Sequence, residues 1–77
     1  MNKKRRKAIE EIIDQLGTLK EQIESISEEE QEAFDNMPEG IQNSARGEAM
    51  SDAVSDMEDA ASSIDDVMST LQDIIDR

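Results

Sequence analysis

Cysteine, histidine, tryptophan and tyrosine are all absent from this chain of 77 residues, and phenylalanine and proline occur once each. Without cysteine there are no disulfides, and without cysteine or histidine the usual zinc and haem sites are excluded. With one aromatic residue, any core must be aliphatic and methionine-based. Long apolar runs are missing too. None approaches the roughly 18–20 residues of a membrane span. The basic start, MNKKRRKAIEEIIDQLG, has its apolar residues interrupted by acids and shows no cleavage site, so it does not read as a signal peptide. The expectation is a soluble, cytoplasmic protein.

Cations are scarce after the first third. Residues 1–27 hold six basic and five acidic side chains, whereas residues 28–77 hold two and fifteen, for a net charge of −12. No Lys or Arg lies between Arg46 and Arg77. So acidic a surface disfavours nucleic acid and anionic membrane and favours a protein partner with a basic surface. Seventy-seven residues make one small domain, and domains of this size usually need disulfides, metal or self-association for stability. With the first excluded, homo-oligomerisation is expected.

What is present is helical periodicity. In the first arm Ile9, Leu16 and Ile23 recur every seven residues, Ile12, Leu19 and Ile26 fill a second seam position, and Ile13 widens the stripe. This is coiled-coil spacing. Gly17 falls on the polar side and weakens the helix. At Glu30 the apolar pattern falters, and Ser27 with Glu30 forms a capping-box signal. The helix therefore either runs on to about residue 36 or breaks near Ser27. Continuity is favoured, because the Glu-rich stretch forms helix well.

Pro38 biases Met37 away from the α region, and Gly40 permits a turn, so a bend is expected over about 37–43. The last arm, about 44–76, has the stronger pattern. Met50, Met57, Ile64 and Leu71 form one line. Ala53, Ala60, Val67 and Ile74 form a second, with Val54, Ala61, Met68 and Ile75 beside it. Equal arms predict an all-α antiparallel two-helix hairpin. That topology also sets the cations of residues 3–7 beside Asp73 and Asp76, where each offsets the other's unfavourable place on the helix dipole. Two helices leave part of so wide a stripe open, and pairing of hairpins into a four-helix bundle would close it. Met50, Met57, Ile64, Val67 and Leu71 are the candidate oligomer seam.

Chemistry is excluded more readily than assigned. Asp35, Glu39 and Gly40 match three positions of a calcium loop. Met37 and Arg46 occupy positions where acids are required, so the stretch reads as a turn. Di-iron bundles need Glu-x-x-His and inward carboxylates, and Glu30 is the one seam acid. No nucleophile lies near a plausible base, and no phosphate loop is present. The expectation is a protein that is not an enzyme and holds no metal or cofactor. The pentad KKRRK has the composition of a nucleic-acid patch without interleaved aromatics, and pairing or solvation explains it better.

One surface feature goes beyond ordinary solvation. Asp52, Asp59, Asp66 and Asp73 recur every seven residues along one line, with Glu58 and Asp65 beside them. Surface helices usually mix Lys with acids, and this one uses Asp and Ser, which are weaker helix formers than Glu and Lys. The ridge suits a basic protein surface and loosely imitates a row of phosphates. Solubility, or neutralisation by another copy, explains it equally.

The runs EEEQEAFDNMPEGIQNSARGEAM (residues 28–50) and DAASSIDDVMSTLQDII (59–75) resemble a group of small acidic proteins encoded by phages and prophages. The resemblance covers most of the chain and is most specific from Glu28 to Gly47. It carries no established activity and transfers no functional residues. It implies a mobile-element context, in which short acidic proteins bind and disable host factors, defence nucleases among them. On that reading Phe34, Met37, Pro38, Ile41 and Arg46 gain weight as contact residues of the bend. For Phe34 itself, a cap closing the hairpin's core is the favoured reading.

Overall fold

The computed structural model describes residues 1–77 and contains three helices: α1 (Lys3–Asp35), α2 (Glu39–Gln42) and α3 (Ala45–Asp76). The long helices lie side by side in a rod with Cα extents of 58 × 15 × 12 Å. A 33-residue helix is about 50 Å long, so each spans nearly the whole rod. The chain is the expected all-α antiparallel hairpin.

Helix α1 opens at Asn2, whose side-chain Oδ1 accepts from the Arg5 N–H at 2.9 Å. It then runs unbroken through Ser27. The capping-box signal at Ser27 is not used, because tertiary packing overrides it. Ser27 is buried against the second arm, at 6% exposure, and Glu30 is half-buried on the same face.

The bend is more ordered than a turn. After Asn36, Pro38 starts the single helical turn α2. Gln42 Nε2 donates to the Phe34 carbonyl at 2.9 Å, tying the end of α1 to the start of α3. Ser44 caps α3: its Oγ accepts from the Gly47 N–H at 3.4 Å and donates to the Ile41 carbonyl. Gly40 was expected to supply turn freedom, yet no glycine here has positive φ. The glycine that the bend requires is Gly47. A Cβ there would lie 2.1 Å from the Gln42 carbonyl oxygen.

The helices face each other along lines that differ from expectation by one position. Along the contact, the half-buried or buried residues of α1 are Ile9, Ile13, Leu16, Lys20, Ile23, Ser27, Glu30 and Phe34, with Gly17 beside them. On α3 they are Met50, Val54, Met57, Ala61, Ile64, Met68, Leu71 and Ile75, with Gly47 at the helix start and Ala53 and Ile74 on the neighbouring line. Both sets alternate steps of three and four, the knobs-into-holes spacing. The second seam line of α1 is therefore Ile13–Lys20–Ser27, and that of α3 is Val54–Ala61–Met68–Ile75. Ile12, Leu19 and Ile26 stand 45%, 49% and 54% exposed. Gly17, on the polar side in line with Glu10 and Glu24, is half-buried, and its Cβ position is 3.5 Å from Met68 Cε.

Candidate functional site

An antiparallel helix pair has an approximate two-fold axis perpendicular to its plane, so equivalent positions of the two helices emerge on the same flank. The residue preceding each second seam line is equivalent in α1 and α3. Ile12, Leu19 and Ile26 therefore share one flank with Ala53, Ala60, Val67 and Ile74. Along this flank, from Ala8 to Ala33 on α1 and from Ala49 to Ile74 on α3, the charges are Glu29 and Asp56. Shallow hollows open beside Leu19, Ile26 and Val67.

The opposite flank is its chemical inverse. It carries Glu10, Asp14, Glu21, Glu24, Glu28 and Asp35 from α1, with Lys3 and Lys7 at the helix start, and Glu48, Glu58, Asp65 and Asp76 from α3. Lys20 reaches this flank from the seam. Its Nζ lies 2.8 Å from Asp65 Oδ1 and 3.6 Å from Glu24 Oε1. The stem of a lysine can cover an apolar seam while its head stays wet, which is how a cation fits between Leu16 and Ile23. The hydrogen bond to Asp65, with the charges of Asp65 and Glu24, raises the pKa of Lys20 above 10.5.

These contacts divide the acidic ridge. Asp65 is engaged by Lys20, and Glu58 lines a hollow with Glu24, Ser27, Glu28 and Met57. Asp52, Asp59, Asp66 and Asp73 stand exposed on the outer line of α3, about 10 Å apart at seven residues of 1.5 Å. None of them forms an ion pair, since both ion pairs of the chain belong to Lys20. The cations of residues 3–7 share an end of the rod with Asp73 and Asp76 but form no ion pair with either. No group of three carboxylates is placed to hold a metal ion.

At the bend, Phe34 and Met37 are half-buried, whereas Ile41 (41%) and Arg46 are exposed. Phe34 stands on the seam of α1 next to the Gln42 tie, which fits the cap. Of the candidate oligomer seam, Met50, Met57, Ile64 and Leu71 are half-buried against α1, and Val67 alone is open, at 50%. Two features were not read from the sequence: the buried role of Gly47 and the clustering of the exposed apolar lines on one flank. The second was latent in the spacing, because choosing the seam one residue later leaves both outer lines on the same side.

The fold and surface define a class, the acidic antiparallel helical hairpin. No protein family, curated protein or solved structure matches this chain. No helix is long and apolar enough to cross a membrane.

Proposed function

We propose that the chain is a protein-binding module that docks on a basic protein surface through the carboxylates of α3. The observation that supports this most directly is the line Asp52–Asp59–Asp66–Asp73, which is exposed along the rod and forms no ion pair within its own chain. Uncompensated like charges on one line repel one another and weaken the helix. Their presence is accounted for when a cationic surface neutralises them, and such complementarity sets association rate and partner choice. The resemblance to small acidic phage and prophage proteins makes a host factor the expected target, with inhibition or modulation of a DNA-handling protein by charge mimicry as the mechanism.

The test is retention of bacterial proteins on the immobilised chain, eluted by stepwise salt. A basic protein should be held at low salt and released as the Debye length shrinks to about 3–5 Å. The Asp59→Lys/Asp66→Lys variant should lose it with unchanged helicity by circular dichroism. Retention that survives both the salt and the charge reversal would sink the reading. A second reading, a self-associating assembly protein, is favoured by a different observation: the uncharged flank around Leu19 and Val67 that the hairpin leaves open.

A further inference from the structure

We infer that the uncharged flank binds a second copy of this chain, and that the two hairpins stack antiparallel, with the bend of one over the chain termini of the other. The hairpin alone is thinly packed. Val54 and Ala61 are its only buried apolar residues, and no large side chain is fully buried. Its accessible surface is 5697 Å², against about 4,700 Å² for a compact monomer of this mass. The excess of about 1,000 Å² matches what each partner buries in a standard interface, about 800 Å². A flank nearly free of charge has the composition of an interface core.

Self-complementarity identifies the occupant. Lys20 against Asp65 and Gly17 against Met68 set the register of the hairpin, and this places Leu19 level with Val67. A two-fold axis crossing the rod at that level packs α1 on α1 and α3 on α3 of the second copy. Leu19 then meets Leu19, Val67 meets Val67, Ile12 meets Ile26, and the large Ile74 meets the small Ala60. Every bulky side chain of the flank gains a neighbour.

Charge selects the direction. The bend half, residues 28–57, carries nine carboxylates and Arg46, a net −8. The terminal end, residues 1–14 and 66–77, carries six cations and six carboxylates, a net zero. Stacking the hairpins in the same direction would set −8 against −8. The antiparallel stack sets each −8 against a neutral end, where Arg5 on the uncharged flank comes over Glu29 and Glu32. This arrangement leaves the outer line Asp52–Asp73 free, so it does not depend on the docking reading and does not compete with it.

The absence of native cysteine makes cross-linking a clean test. The full chain should sediment at twice its 8.6 kDa mass. Under oxidation Leu19→Cys should link into a covalent dimer. Ile12→Cys alone should stay unlinked, and the Ile12→Cys/Ile26→Cys double variant should link between chains. Leu19→Asp should sediment as a monomer, while Asp59→Lys should remain dimeric. A wild-type chain that stays monomeric at about 1 mM, the weak limit of specific association, would overturn the proposal. So would a dimer whose Leu19→Cys chains fail to link, which would place the contact on another face or in the other direction.

Discussion

Val54 and Val67 stand on the same helix, thirteen residues apart, and have opposite surroundings. Val54 is 6% exposed on the inner face of α3, and Val67 is 50% exposed on the uncharged flank. The contrast repeats between buried Ala61 on the inner line Val54–Ala61–Met68–Ile75 and exposed Ala60 on the adjacent line Ala53–Ala60–Val67–Ile74, and it fades toward the chain end, where Ile74 and Ile75 are both half-buried. Both repeat every seven residues and both are apolar. Periodicity marks a stripe, and the partner helix decides which line of the stripe lies at its centre.

The sharpest way to test this contrast is to charge each line. Val54→Asp buries an unpaired carboxylate between the helices. It should cost about 3–5 kcal/mol and abolish the cooperative melt followed by circular dichroism. Val67→Asp leaves the inner face intact. Its helicity at 20 °C should persist, while the dependence of its melting temperature on protein concentration disappears. Equal damage from both substitutions would mean that Val67 belongs to the hairpin's own core.

A second contrast lies within the bend. Gly40 has nothing within 4 Å of its Cβ position, whereas Gly47 is closed over by Gln42. Gly47→Ala forces α2 away from α3 and should cost about 1–3 kcal/mol in denaturant unfolding, as overpacking does. Gly40→Ala should be neutral or slightly stabilising. If the two variants melted alike, the close approach of α2 to α3 would be wrong.

The hairpin itself was legible. Apolar repeats of similar length, interrupted at Met37–Pro38, predict two packed arms, and α1 packs along α3 as that pattern requires. The Ser27 signal did not displace the favoured continuity of α1, because capping is a local preference and an amphipathic helix with a continuous seam outweighs it. The centre of the stripe was hidden for a related reason. By hydrophobicity alone, Ile12, Leu19 and Ile26 make a better seam than Ile13, Lys20 and Ser27. The structure chooses the latter because Lys20 reaches Asp65 and small Ser27 faces Met57. Glu58 and Asp65 looked like part of one ridge with the aspartates. One position of helical rotation places them on the flank beside the seam instead. The short helix α2 carries too few residues to show a period at all.

Gly17 gives a smaller test of the same lesson. An added methyl would meet Met68 Cε at 3.5 Å, an ordinary contact. Gly17→Ala should therefore stabilise the chain by about 1 kcal/mol, the difference in helix propensity, with added burial against Met68. A loss of stability would mean that the helices approach each other there more closely than this.

The smallest expected effect belongs to Lys20, the one cation on the seam. Its pKa is raised in the folded chain, chiefly by the hydrogen bond to Asp65, so the folded state holds the proton more tightly than the unfolded one. The stabilisation is then complete below the ordinary value of 10.5 and is lost as pH rises through the raised folded value. Melting temperature followed from pH 9 to 12 should show a shallow fall beginning above about pH 10.5. The Lys20→Met variant should lose that component while keeping its helicity, because the stem continues to cover Leu16 and Ile23. An identical alkaline profile in wild type and variant would show that the pair with Asp65 is too wet to couple to folding, and that the seam at Lys20 is held by the lysine stem alone.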